Sequence, residues 1–144
     1  ANDGNWKFRN VTAAEKVGSL GATYQAAWAD IDNDGDLDLV TAGKLFLNEN
    51  RKGNWITLTL VGDGKIVNRS AIGAIARLRL GDRTLTRHVE TGTGEGNQND
   101  PRLHFGLGEH KAPVTVEIIW PGGRKTVTKE LAVNQQHTVV FEAK

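Results

Sequence analysis

The sequence predicts an all-β fold, a β-sandwich or barrel with a three-stranded unit packed on it at the N-terminal end. Apolar and polar residues alternate through much of residues 54–144, which is the two-residue period of a half-buried strand. Turn residues separate these segments, and the 144 residues include 17 Gly but only 3 Pro. No helical period persists beyond Ser19. Strands at regular spacing with turns between them are typical of sandwiches and barrels.

The first residues predict little regular structure. Trp6 and Phe8 are two apart, as on one face of a short strand. Residues 12–15 (Thr-Ala-Ala-Glu) form a capping box, and Gly18 is a stop signal, so one helical turn is expected between them.

Three short strands are expected next, at residues 24–29, 37–42 and 45–48. An acidic turn joins the first two, and Gly43-Lys44 joins the second to the third. Strand, acidic turn, strand, turn, strand is the order of one blade of a β-propeller. Propellers have about 4–8 blades, and a lone repeat cannot bury both of its faces. We therefore expect this blade to pack against the remainder of the chain as one cooperative unit.

The polar residues 48–54 mark the boundary between a blade at 1–53 and a β-domain at 54–144. In the β-domain, turns are expected at residues 63–64, 81–82 and 121–123. The second of these closes a hairpin into Leu85, Arg87 and Val89, and Val127 marks the return after the third. Alternation predicts these inward faces: Ile56, Leu58, Leu60; Ile72, Ala74, Ala76, Leu78, Leu80; Val114, Val116, Ile118, Trp120; and His137, Val139, Phe141.

The acidic turn has the pattern of a cation-binding loop. Carboxylates stand at positions 1, 3, 5, 7 and 9, and Gly35 stands at position 6. A chance match of four such Asp and the Gly has a probability on the order of 10⁻⁶ per start position. Their mutual repulsion is tolerable if a hard cation sits among them, and Ca²⁺ takes roughly 6–8 oxygen ligands. The candidate side-chain ligands are Asp30, Asp32, Asp34 and Asp38, and Asp36 would contribute its backbone carbonyl.

The turn has two other interpretations. An EF-hand needs a bidentate Glu at position 12, which here is Thr41, inside a predicted strand. A solvated acidic turn without a metal is the other alternative. We expect the metal, with a structural role that pins the hairpin.

Charge and composition limit the function classes. The net charge is +1, but outside the loop 18 basic residues face 12 acidic ones, which favours anionic partners unless these cations are merely scattered and solvated. Cysteine is absent, so no disulfide or thiol chemistry exists. No apolar stretch approaches the ~20 residues of a membrane span. We expect neither membrane insertion nor a nucleic-acid partner. Ala1 in place of Met suggests an excised or processed piece.

No catalytic constellation is apparent, so we expect no enzymatic activity. Ser19 and Ser70 lie outside any Gly-x-Ser-x-Gly turn. The four His residues lack zinc-type spacing, and a packed structural role is expected for His104.

Candidate ligand-binding residues are few. Residues 91–101 form a long polar loop, either a plain connection or a ligand-binding loop that includes Asn97. Glu95 and Asp100 in this loop are candidates for a second cation site. Trp6 and Trp55 are candidates for stacking on sugar rings, although core or edge packing is the alternative for each.

Two family resemblances cover nearly the whole chain. Residues 27–40 and 45–48 resemble one FG-GAP/VCBS repeat, the calcium-binding blade of integrin-type propellers, which implies Ca²⁺ at the positions named above. The remainder resembles an ASPIC/UnbV domain, found at the C-terminus of secreted repeat proteins. The matching stretches are Asn54-Trp55-Ile56, residues 68–74, Leu103-His104-Phe105-Gly106-Leu107-Gly108, Ile119-Trp120-Pro121-Gly122-Gly123 and Val133-Asn134-Gln135.

These resemblances imply an extracellular protein with a calcium site. The expected function is that of a non-enzymatic Ca²⁺-binding β-module of a larger secreted or surface protein, mediating adhesion or protein interaction beside neighbouring domains. The alternative is a carbohydrate-binding module of a secreted polysaccharide-degrading enzyme. A third possibility, an enzyme or biosynthetic accessory, is suggested only by the occurrence of UnbV-type domains in natural-product gene clusters.

Overall fold

The computed structural model describes residues 1–18, 20–49 and 52–143, and in these ranges the chain is all-β. Its strands are β1 Ala26–Ala29, β2 Asp38–Thr41, β3 Lys44–Phe46, β4 Asn54–Val61, β5 Ile75–Leu80, β6 Arg83–His88, β7 Leu103–Gly108, β8 Val114–Ile119, β9 Lys125–Leu131 and β10 Gln135–Val140. They form three sheets, ordered β1-β2-β3, β10-β4-β7 and β6-β5-β8-β9.

The β10-β4-β7 and β6-β5-β8-β9 sheets pack face to face as a β-sandwich, which confirms the predicted fold class. Their inner faces contribute to one core that includes Ile56, Leu58, Phe105, Leu78, Val116 and Trp120, all essentially inaccessible to solvent. Each such side chain stabilises the fold by roughly 1.5–3 kcal/mol relative to its exposed state. The alternation predicted for β4 and β8 is found as expected.

Two predictions in the β-domain need correction. The strand β7 was missed, although Leu103, Phe105 and Leu107 alternate inward in it. Ile72 was expected in the core but is 40% exposed. Asn68 holds it in a loop, because its side chain bonds both the N–H and the carbonyl of Ile72, and β5 begins only at Ile75.

The N-terminal segment also differs from expectation. Residues 12–16 make successive turns and no continuous helix. One of these turns has the hydrogen bond of a single helical turn, from Glu15 N to Val11 O. Trp6 and Phe8 do not share a strand face: Phe8 makes an isolated bridge with Asn2, and Trp6 lies in a turn with φ 60°. Trp6 is 94% exposed.

The three-stranded blade is antiparallel throughout, with Ala29 opposite Asp38 and Leu39 opposite Phe46. Its strands are shorter than predicted, since β1 begins at Ala26 and leaves Tyr24 exposed. The β1–β2 loop of this blade lies on the outer face of the β10-β4-β7 sheet, where it contacts His104 of β7 and Gln136 of β10.

Candidate metal centre

The turn between β1 and β2 gathers carboxylates from both of its ends. Asp30 follows β1, Asp38 opens β2, and the two are 2% and 1% exposed. Oxygen atoms of Asp30, Asp32 and Asp38 all lie within 4.8 Å of one another. The antiparallel pairing of β1 with β2 brings positions 1 and 9 of the loop together, and the tight turn returns position 3 to them.

The loop holds its own shape through bonds from backbone N–H groups to these carboxylates. Asp30 Oδ2 accepts from Gly35 N at 3.2 Å, and Asp34 Oδ1 accepts from Asp36 N at 3.0 Å. Asp38 accepts from Ile31 N and, across the blade, from Asn48 N, both at 2.8 Å. The carboxylate oxygens therefore hold the backbone of the loop in place by accepting its N–H groups.

A cation fits the remaining acceptor capacity of this turn. Asp30 Oδ1 is buried and has no hydrogen-bond partner among the described residues. Burial raises the pKa of Asp30, helped by the Asp34 carboxylate, while the Gly35 N–H and the Arg102 charge lower it. A buried, acceptor-only oxygen among further carboxylates suits a hard cation such as Ca²⁺. The structure brings Asp30, Asp32 and Asp38 together; ligation by Asp34, or by Asp36 through its carbonyl, stays a prediction.

Gly35 forms the point of contact between the loop and the β-domain. Its φ is +95°, and a Cβ at this position would overlap the indole of Trp55. Its carbonyl accepts from His104 Nε2 at 2.7 Å, and the His104 ring stacks on Trp55 with centroids 6.5 Å apart. A packed structural role for His104 agrees with this contact. Trp55, a candidate for sugar stacking, is half-buried under the loop instead.

Arg102 ties the loop to the β-domain by its whole guanidinium group. Its Nη2 donates to Asp30 O at 2.7 Å and its Nη1 to Asn33 Oδ1 at 2.9 Å. Its Nε donates to Asp100 Oδ2 at 2.6 Å, and this bond raises the pKa of Arg102. Gln136 Nε2, from β10, reaches the same Asn33 oxygen at 2.8 Å. Sequence reasoning missed Arg102 and Gln136, because nothing local marks a partner so distant in the chain.

The polar loop at residues 91–101 lies along the edge of β1. Asn99 Oδ1 accepts from Trp28 N at 3.0 Å, and Asp100 N donates to Trp28 O at 2.9 Å. The Asn97 side chain donates to Ala26 O, and the Gln25 side chain donates to Glu95 O. Among the alternatives left open for this loop, these bonds favour the connection, with Asn97 as part of it.

The proposed second cation site draws no support from these contacts. The Asp100 carboxylate is paired with Arg102, which offsets its charge. Glu95 lies in the exposed part of the loop. A site on these two residues stays a prediction.

A cleft of about 320 Å³ opens between the blade and the β-domain. Trp28 and Leu37 line it from the blade, and Thr57 and Leu103 from the β10-β4-β7 sheet, with Arg87, Glu90 and Asn99 also contributing. It is large enough for a small polar ligand. Trp6 is not among its lining residues.

Comparison with known proteins covers mainly the β-domain. The family model described as "ASPIC and UnbV" matches residues 64–144. Cartilage acidic protein 1 from Homo sapiens and from Mus musculus are each 29% identical over 126 residues, which cover 77% of this chain. The chain spans only 18% of the length of these relatives. No solved structure shows significant similarity.

The matched region contains every strand from β5 to β10 and thus one complete sheet of the sandwich with two strands of the other. The blade lies outside it, so a repeat of the FG-GAP type is not established. In the described part of the chain, no helix is long and apolar enough to cross a membrane. Since the family model described above matches more than half of the residues of this chain, the chain belongs to the ASPIC and UnbV family.

Proposed function

We propose that this chain is a non-enzymatic, Ca²⁺-binding extracellular module of a larger secreted or surface protein, in which the ion holds the blade on the sandwich. The joined unit would then serve adhesion or protein interaction. The observation that carries this proposal is the buried Asp30 Oδ1, which accepts no hydrogen bond from the described residues, in a turn where oxygen atoms of three carboxylates lie within 4.8 Å of one another.

Calcium would be held by the side chains of Asp30, Asp32 and Asp38, with Asp34 and the Asp36 carbonyl as the remaining predicted ligands. It would supply positive charge that offsets the burial of carboxylates. Backbone N–H groups orient the carboxylates. The Gly35 carbonyl and the Arg102 guanidinium group form hydrogen bonds that hold the loop against the β-domain. Metal binding and the docking of the blade on the β-domain are therefore linked through Asp30. Its side chain is a candidate metal ligand, and its backbone carbonyl accepts a hydrogen bond from Arg102.

An extracellular setting is supported by the relatives, which are named for cartilage, a tissue composed largely of extracellular matrix. The exposed apolar side chains of the blade support an interaction role. Tyr24, Leu45 and Leu47 are at least half exposed, so they would be accessible to a partner.

The test is calorimetric titration of the full chain with CaCl₂ and, separately, with MgCl₂. We expect saturable binding of Ca²⁺ that is lost in Asp32→Asn and retained in Asp82→Asn, a matched change at an exposed hairpin residue. Binding of neither ion to the wild-type chain would refute the proposal.

Carbohydrate binding is the second candidate function, and the cleft between the two modules is the observation in its favour. Its lining combines the indole of Trp28 with hydrogen-bonding groups of Arg87, Glu90 and Asn99, the mixture that small polar ligands require. Neutral oligosaccharides should then bind to the wild-type chain but not to Trp28→Ala, while Trp6→Ala, which lies outside the cleft, should bind normally.

A further inference from the structure

The outer face of the β6-β5-β8-β9 sheet is open and positively charged. On β5, Ala76 and Leu78 are buried, so Arg77 and Arg79 point the other way, and both are exposed. The register places Glu117 of β8 beside Arg77.

The same alternation defines the whole surface, which we call the basic face. Its side chains are His88, Thr86 and Thr84 from β6, Ile75, Arg77 and Arg79 from β5, Ile119, Glu117 and Thr115 from β8, and Lys125, Val127, Lys129 and Glu130 from β9, the last exposed at the register shift before the buried Leu131. With His88 neutral, its cations Arg77, Arg79, Lys125 and Lys129 against the carboxylates of Glu117 and Glu130 leave a surplus of two positive charges.

The arrangement of these cations suits a polymer with repeated negative charges. Neighbouring strands lie about 4.8 Å apart, and side chains two residues apart on one strand are about 7 Å apart. Arginine guanidinium groups bind sulfate-like and carboxylate oxygens by two parallel hydrogen bonds. The hydroxyl groups of Thr84 and Thr86 stand beside Arg79 and Arg77 in the register and offer further polar contacts.

The composition of the basic face argues against two other partners. Protein interfaces are enriched in Trp, Tyr and Phe at their centres, and single-stranded nucleic acids stack their bases on aromatic rings. Among the described residues of this face there is none of these three aromatic types. The apolar side chains of this face, Ile75, Ile119 and Val127, are aliphatic, so the surface offers charge and no aromatic anchor among its described residues.

We propose that the basic face binds linear anionic polysaccharides that carry sulfate or carboxylate groups. The Arg and Lys cations of this site are separate from the metal centre, because the acidic loop docks on the outer face of the other sheet, at Trp55 and His104. Only Thr86 and His88, at the edge of the basic face, also line the cleft beside Asp30. Either proposal can therefore fail while the other stands.

One ion pair on the basic face limits its strength. Lys125 Nζ lies 2.9 Å from Glu117 Oε1, and this contact lowers the pKa of Glu117. The Glu117 carboxylate thus pairs with one of the cations of the face and repels an anionic ligand. Replacing it with Gln frees Lys125 and increases the positive surplus.

The test uses the full chain in calcium buffer with heparin as the sulfated probe. Affinity is measured between about 50 mM and 200 mM salt, where polyanion binding depends steeply on counterion release. The variant Arg77→Gln/Arg79→Gln should weaken binding by about tenfold and reduce the salt slope by roughly 1.5. Glu117→Gln should tighten binding by about threefold.

The matched control is Lys65→Gln/Arg69→Gln, which makes the same change of net charge in the exposed loop between β4 and β5. It should change the affinity by less than about twofold, and all variants should keep the calcium-dependent melting temperature of the wild type. Equal weakening by the control would reduce the effect to net charge and overturn the proposal. So would tighter binding to single-stranded poly-dT or polyglutamate than to heparin, or no heparin binding at the lower salt.

Discussion

Gly35 of the acidic loop lies so close to the Trp55 indole that a methyl group on Gly35 would overlap the ring. The loop therefore depends on glycine for two separate reasons: its positive φ of +95° and its contact with the β-domain. The sequence shows the first reason, because a glycine at the sixth position of such a loop makes the turn. The second becomes visible only in the folded chain.

The substitution Gly35→Ala should lower the free energy of unfolding by about 2–4 kcal/mol, from left-handed backbone strain and overpacking against Trp55. Urea unfolding of the full chain in calcium buffer measures it. Gly43→Ala is the matched control, since Gly43 also has a positive φ, +69°, but nothing within 4 Å of its Cβ position. A control that costs as much as Gly35→Ala would mean that backbone strain, and not the contact with Trp55, accounts for the effect.

Removing calcium should lower the melting temperature, because an ion bound only to the folded state stabilises it by about 2.7 kcal/mol at a hundredfold excess over Kd. Differential scanning calorimetry in CaCl₂ and in EDTA measures this. Asp32→Asn should melt in calcium as the wild type melts in EDTA, while Asp82→Asn keeps the full calcium response. If EDTA leaves the wild-type transition unmoved, the ion has no structural role.

The difference between the acidic loop and its docking contacts shows what sequence alone can predict. Candidate ligands such as Asp30 and Asp38 fall within nine residues, so their spacing announces the site. The groups that receive the loop do not: Arg102 bonds Asp30 across 72 residues, and Gln136 bonds Asn33 across 103. Arginine and glutamine are common on any protein surface, and only the tertiary fold shows that these two residues contact the loop.

The strands of the β-domain differ in how plainly the sequence shows them. The alternation of β4 is plain because Thr57 and Thr59 separate large apolar residues, whereas in β7 the intervening residues are His104 and Gly106. The parallel pairing of β10 with β4 joins residues about as far apart as the β-domain allows, with Gln135 opposite Ile56. The pairing of β10 with β4 leaves no local trace in the sequence, whereas β7 does leave one, the alternation of Leu103, Phe105 and Leu107.

In EDTA, stability should decrease as the pH rises from about 4 through the folded-state pKa of Asp30. The pKa of Asp30 is raised by burial, so in that interval the folded state binds more protons than the unfolded state, and the derivative of unfolding free energy with pH is negative. Above the interval the buried charge carries its full cost.

The measurement is the difference in unfolding free energy between the wild type and Asp30→Asn at successive pH values in EDTA. This difference isolates Asp30 from Asp63 and Glu117, whose pKa values are lowered by hydrogen bonds to backbone N–H groups and to Lys125, and whose contributions rise with pH. The wild type should lose stability relative to the variant as pH rises, and calcium should reverse this sign. A difference independent of pH in EDTA would contradict the raised pKa.

Arg102→Gln should separate the blade from the β-domain, because it removes the charged donor that bonds both Asp30 O and Asn33 Oδ1. Loss of these charge-assisted bonds should destabilise the docked state by about 2–4 kcal/mol. Lysyl endopeptidase should then cleave after the exposed Lys52 faster than in the wild type, because a blade that has left the β-domain restrains this site less. Arg83→Gln, at an exposed hairpin, is the control and should cleave at the wild-type rate. Equal cleavage of all three chains would show that Arg102 does not hold the two modules together.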